Sequence, residues 1–163
     1  MGPPEPGFNC DQPLQNTFLH ERAWTDQNER LSTTYVYYVF GALAAFGTVV
    51  MHSIVLGTRE KPARVPYRSV GALKVAQLGV DAAYQSQGLG RTVVRDMIEL
   101  AIKLSARVGC RYVAVDARPE LVPWYARHGF VINKVEQRAR EEAAARRGAS
   151  SIPVSMRFDL REI

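Results

Sequence analysis

Gln77-Leu-Gly-Val-Asp81-Ala-Ala-Tyr-Gln85-Ser-Gln-Gly88-Leu-Gly90-Arg91 joins an apolar run to a long amphipathic segment through a turn that carries two glycines. Upstream, Lys74 and Gln77 interrupt an otherwise apolar stretch, which predicts a strand over 73–80. Downstream, Val94, Met97, Ile98, Ala101, Ile102, Ser105 and Val108 recur at helical steps, and Gly109 stands where such a helix ends. A strand that enters a helix this way presents backbone N–H groups at the positive end of the helix dipole, a place suited to a phosphate. Gly88 and Gly90 let an anion approach without a Cβ in the way, and Arg91 sits in the first helical turn, within reach of its edge. The turn has neither the Gly-x-x-x-x-Gly-Lys-Ser/Thr of a phosphate-binding NTPase loop nor the Gly-x-Gly-x-x-Gly of a dinucleotide turn, so both classes fall. An ordinary strand-to-helix turn with two glycines stays open on this stretch alone.

Working outward, residues 111–117, with Tyr112, Val113, Ala114 and Val115 at the centre, read as a short buried strand. Pro119 opens a second, shorter helix that runs to Arg127 and is closed by Gly129, and 130–133 begin another strand. Residues 135–151 are rich in Arg, Glu and Ala and predict a solvated helical excursion. The last strand spans 152–160, where Val154, Met156, Phe158 and Leu160 alternate with Pro153, Ser155, Arg157 and Asp159. Toward the amino terminus, Asp11 ahead of Gln12-Pro13 predicts a capped helix start, with the helix continuing to about Arg30. Residues 35–56 contain no formally charged side chain, which raises a membrane-spanning helix as an alternative. The Tyr, Val, Phe and Thr content, with Gly41, Gly47, His52 and Ser53 inside the run, favours a buried β-hairpin, 34–40 and 44–56. Residues 57–69 carry two prolines and Arg59, Lys61, Arg64 and Arg68 against Glu60, an exposed loop. The order of elements gives an α/β fold, a mixed sheet with helices on its faces.

The chain has 163 residues, 21 Lys and Arg against 16 Asp and Glu, a net charge of +5, and 47% hydrophobic residues. That length suits a single domain, 1–163, with 1–7 as a proline-stiffened tail that lacks the pattern of a secretory signal. The hydrophobic fraction excludes a wholly disordered chain, and the lack of a collagen-like or Gln/Asn tract excludes a fibrous one. Cys10 and Cys110 are too few for a disulfide scaffold and have no metal-ligand spacing, which implies a reducing compartment, the cytoplasm, and no metal site. The basic excess favours anionic partners without choosing among them.

Gln85-Ser86-Gln87-Gly88-Leu89-Gly90 matches the Gln/Arg-x-x-Gly-x-Gly/Ala signature of the GNAT family of N-acetyltransferases. Trp124-Tyr125-Ala126-Arg127-His128-Gly129-Phe130 is similar to the same family's Phe-Tyr-x-x-x-Gly-Phe segment, so the resemblance covers 73–133. It implies acetyl-CoA as co-substrate, lying between two parallel strands that splay apart. Its contacts would fall on Leu78, Gly79, Val80, Gln85, Ser86, Gln87, Gly88, Leu89, Gly90 and Arg91, with strand groups on the pantetheine and the amides of 87–91 on the pyrophosphate. The Val80 N–H would polarise the thioester carbonyl and Tyr125 would donate its phenolic proton to the departing thiolate. Read without the resemblance, Tyr125 is a core aromatic beside Trp124. Asp81, Asp116 and His128 are candidates for a general base, each with a structural alternative.

Phe8-Asn-Cys10-Asp-Gln-Pro-Leu14, Phe18-Leu19 and Thr33-Thr-Tyr-Val36 resemble the start of the toxin branch of type II toxin-antitoxin acetyltransferases. That branch acetylates the α-amine of aminoacyl-tRNA and blocks translation, which implies a ribbon-helix-helix antitoxin as partner and leaves a homodimer open. Arg64, Arg68 and Asp116 are the candidate acceptor-binding residues. Asp116 stands where many of these toxins carry His, and Asp11 and Thr33 replace a Gly and an Arg of the branch pattern. A small-molecule or protein amine as acceptor, and a module that holds CoA without turnover, are the alternative functions.

Overall fold

The computed structural model describes residues 7–163; the tail expected over 1–7 lies, except for Gly7, outside them. The elements are α1 (Pro13–Thr17), a π-helical turn (Phe18–Arg22), α2 (Ala23–Asn28), β1 (Thr33–Val39), β2 (Ala42–Val55), β3 (Ser69–Val80), α3 (Leu89–Ser105), β4 (Tyr112–Ala117), α4 (Val122–Arg127), β5 (Val131–Ile132), α5 (Lys134–Arg147) and β6 (Val154–Asp159). The strands form one six-stranded sheet in the order β1-β2-β3-β4-β6-β5. The described residues cluster into two compact units, 7–50 with 75–100 and 51–74 with 101–163, so that β2, β3 and α3 each contribute to both.

In the first unit, β1 and β2 pair antiparallel around Phe40 and Gly41, both at positive φ, which is the backbone a tight hairpin requires. The uncharged run is therefore a hairpin, and among the described residues no helix is long and apolar enough to cross a membrane. Successive β2 residues face opposite sides of the sheet. Phe46 joins Phe8, Cys10, Leu19, Ala23 and Leu43 in a buried cluster under the N-terminal helices. Gly47 points the other way, and a Cβ there would lie 2.6 Å from Val93 and 3.7 Å from the Met97 sulfur, so its lack of side chain lets α3 lie close to the strand. The helix start differs from expectation: Gln12 is the N-cap and makes no side-chain cap. Asp11 instead adopts a positive φ and gives its N–H to Asn9 Oδ1, while Asn16 Oδ1 accepts from the Cys10 amide.

In the second unit, Ile54, Leu56, Ala72, Tyr112 and Ala114 form the buried cluster, and β4 pairs antiparallel with β6. Strand β3 begins at Ser69, four residues before the apolar run, because Gly71 packs directly against the Gly109 carbonyl and Arg111 N–H bonds Gly71 O. The charged excursion is helix α5, and it is not simply solvated. Gln137 and Ala144 are buried, Gln137 Oε1 accepts from Ser155 N, Glu136 accepts from Ser155 Oγ and from Val55 N, and buried Asn133 bonds Ser155 Oγ and Arg157. A low mean hydropathy hides this attachment, because polar side chains make it.

Candidate active site

All ten expected coenzyme residues lie on one continuous piece of the first unit, the end of β3, the turn after it and the first turn of α3. Asp81 caps a short 3-10 turn, Ala82–Tyr84: its Oδ1 accepts from Ala83 N and its Oδ2 from Asn9 N. Ser86 at φ +62 and Gly88 at φ +87 then reverse the chain into the helix. The first intrahelical bond is Thr92 N–H to Gly88 O at 3.1 Å, so the amides of Leu89, Gly90 and Arg91 precede the helical ladder. Nothing lies within 4 Å of where a Gly88 Cβ would be built, and Gln85, Ser86, Gln87 and Gly88 are exposed. An exposed turn of amides at a helix start, with open space over its glycine, fits a diphosphate.

Two of these residues have a second task. Gln85 Nε2 donates to Val80 O at 3.0 Å and to Cys10 O at 3.2 Å, tying the turn to the end of β3 and to the N-terminal segment. Gly79 is buried, and a Cβ on it would come to 2.6 Å from Phe46 and 3.2 Å from the Cys10 sulfur. Packing against Phe46 therefore demands a glycine here, independently of any ligand.

The other candidates belong to the second unit. Tyr125, on α4, is only 7% exposed, with edge-on rings of Trp124 and Phe130 at 4.9 Å and 5.4 Å. Burial pushes its phenol up to about 12, a rise that the Arg118 charge only partly opposes, so the hydroxyl stays protonated at neutral pH. His128 Nδ1 donates to the Trp124 carbonyl at 2.7 Å, since a carbonyl can only accept, which leaves its Nε2 lone pair as the basic atom.

Asp116, near the end of β4, accepts hydrogen bonds from Lys74 on β3 at 2.5 Å and Arg140 on α5 at 2.7 Å. Burial works to raise its pKa, but the two cations prevail and hold the carboxyl below the usual range, so it is a poor proton acceptor. His52 on β2 belongs to the same group of charges. Burial and then Lys74 lower its pKa, with Glu136 and Asp116 opposing, and the imidazole is neutral at pH 7. The sequence did not group Lys74, Arg140 and His52 with Asp116; the one usable signal was a lysine inside an apolar strand. Arg64 and Arg68 are exposed on the loop between β2 and β3 and do not join Asp116. Arg64 instead lines a pocket with Arg111, which directly precedes β4, about 16 Å along the strand from Asp116.

The chain's residues 16–142 match the family model described as an acetyltransferase (GNAT) domain. The chain belongs to that family. Over 62 residues it is 42% identical to a probable glucosamine 6-phosphate N-acetyltransferase 2 from Oryza sativa subsp. japonica, a match covering 38% of this chain and 35% of the relative. A second rice relative, glucosamine 6-phosphate N-acetyltransferase 1, is 40% identical over the same length. The chain thus spans about a third of the curated relatives it matches. Among solved structures, the toxin AtaT complexed with acetyl-methionyl-tRNAfMet superposes with a TM-score of 0.77 at 17% identity, covering 95% of this chain and 86% of that one. A tyrosine-to-phenylalanine mutant of the toxin KacT gives 0.75 at 18% identity, covering 96% and 88%. AtaTR bound with acetyl-CoA gives 0.71 at 17% identity over 96% and 86%. At these identities the likeness establishes the GNAT fold.

Proposed function

We propose that this chain is an acetyl-CoA-dependent N-acetyltransferase whose acceptor is the α-amine of aminoacyl-tRNA, a toxin that blocks translation in the cytoplasm. The observation that carries the coenzyme assignment is the β3–Gly88–α3 turn, with its amides ahead of the helical ladder and open space at Gly88. Acetyl-CoA supplies the activated acetyl group as a thioester. The amides of 87–91 and the Arg91 guanidinium would hold its diphosphate, and the strand groups of Leu78, Gly79 and Val80 its pantetheine. The Val80 N–H would stabilise charge developing on the thioester oxygen, a task for a fixed dipole. Tyr125 acts as a hydrogen-bond donor to the departing thiolate. A phenol pushed to about 12 is a weaker acid than a thiol near 8.5, so it stabilises the thiolate without giving up its proton. The two units act as one acetyltransferase domain, a reading supported by a family match that takes residues from both.

The acceptor assignment is supported by the likeness to AtaT and KacT, by the N-terminal resemblance to that toxin branch, and by the basic balance of the chain. An α-amine near pKa 8 needs only a modest base, which suits a chain whose Asp81 and Asp116 are both committed to other partners. A ribbon-helix-helix antitoxin would restrain the enzyme, and a homodimer is its proposed assembly. The rice relatives favour a second reading, an amino-sugar phosphate as acceptor. Incubation with labelled acetyl-CoA and either aminoacyl-tRNA or glucosamine 6-phosphate separates the two: label on the tRNA is expected, and label on the sugar alone would overturn the toxin assignment.

A further inference from the structure

The loop between β2 and β3 is tied by hydrogen bonds within itself and to the start of α5. The Glu60 carboxylate accepts from the amides of Gly57, Lys134 and Val135, Lys61 Nζ donates to the Pro66 carbonyl at 3.0 Å and the Tyr67 carbonyl at 3.3 Å, and Val65 N–H bonds Pro62 O. The loop so fixed walls a pocket of about 550 Å³ lined by Pro62, Ala63, Arg64, Val65, Arg111 and Arg161. Three arginines line this one pocket, and among the described residues only Arg111 has a carboxylate partner. Asp159 takes Arg111 through Nε and Nη2, at 2.7 Å and 2.8 Å. That bidentate pair orients Arg111 and leaves its Nη1 donors uncommitted among the described residues. The Arg64 and Arg161 guanidinium groups have no ion pair or hydrogen bond among the described residues, and the nearby Glu162 carboxylate forms none with the three.

We propose that this pocket is a second anion site, separate from the coenzyme turn, that takes a phosphate monoester carrying a flat or apolar group, of the size of a nucleoside monophosphate. Arginine forks match phosphate oxygens bidentately, and Arg64, Arg161 and the open edge of Arg111 supply them. Pro62, Ala63 and Val65 give the apolar wall for the rest of the ligand, and the volume lies in the range of small-molecule sites. The fixed loop spares the ordering cost that a mobile one would impose on binding.

Titration calorimetry tests this with AMP as probe, in the presence of saturating acetyl-CoA so that the coenzyme turn is occupied, and with adenosine and inorganic phosphate as controls. AMP is expected to bind at least tenfold more tightly than either control. Arg64→Ala and Arg161→Ala should each weaken AMP by about tenfold or more. Both replace exposed side chains, and acetyl-CoA affinity measured on the same variants should be unchanged, which separates this site from the coenzyme assignment. No heat with AMP at millimolar concentration, inorganic phosphate as tight as AMP, AMP binding untouched by both substitutions, or a loss confined to RNA binding would each overturn the proposal.

Discussion

Tyr125 tests the chemistry at the scale of one side chain. Tyr125→Phe keeps the ring between Trp124 and Phe130 and removes only the hydroxyl, so kcat is expected to fall by about 10²-fold or more while acetyl-CoA Kd stays nearly constant. Because burial raises the phenol to about 12, an alkaline loss of rate near pH 10 should not arise from this residue, and a pH–rate profile checks that. Asp116 tests electrostatics. Its folded pKa is depressed by Lys74 and Arg140, so the stability it contributes is complete above the unfolded value near 4 and disappears as pH falls through the lower folded value. The gap in urea midpoint between the wild-type protein and Asp116→Asn should therefore be largest near neutrality and shrink by pH 3. Gly79 tests packing: an alanine would press on Phe46, and Gly79→Ala is expected to cost about 1–3 kcal/mol in urea unfolding, before any effect on coenzyme.

At the scale of elements, the turn from β3 into α3 was legible because its signals are local. A glycine-bearing turn, an apolar helical stripe and a mostly apolar strand each follow from residues a few positions apart. Gly88→Ala meets open space, so it costs only the left-handed backbone, about 1–2 kcal/mol, yet it should weaken acetyl-CoA by more than tenfold if the amides grip the diphosphate. Calorimetry on a variant shown to be folded checks that split. What stayed illegible depends on partners distant in sequence. The expected Asp11 cap is a local exception: Asp11 sits at positive φ with its own N–H on Asn9 Oδ1, and the helix begins one residue later, after Gln12, with no side-chain cap. Helix α5 reads as solvated because Glu136 and Gln137 are polar, and only β6 shows that they bond Ser155. The ties of Asp116 to Lys74 and Arg140 likewise join three separate elements, which no spacing reveals.

For the molecule as a whole, a charge of +5 predicts that a polyanionic acceptor is taken with a strong salt dependence. Acetylation of aminoacyl-tRNA should drop steeply as salt rises, whereas coenzyme binding should change far less, and initial rates at several salt concentrations check this. The basic residues divide into two kinds: Arg138 pairs with Glu142, Arg140 with Asp116 and Arg111 with Asp159, while Arg64 and Arg161 form no ion pair among the described residues. The central claim is that the exposed turn at Gly88 holds acetyl-CoA. Titrating the full chain with acetyl-CoA in a calorimeter tests it most directly: saturable binding of one equivalent, lost or strongly weakened in Gly88→Ala, is the predicted result. No heat at millimolar acetyl-CoA, or binding indifferent to Gly88→Ala, would contradict it.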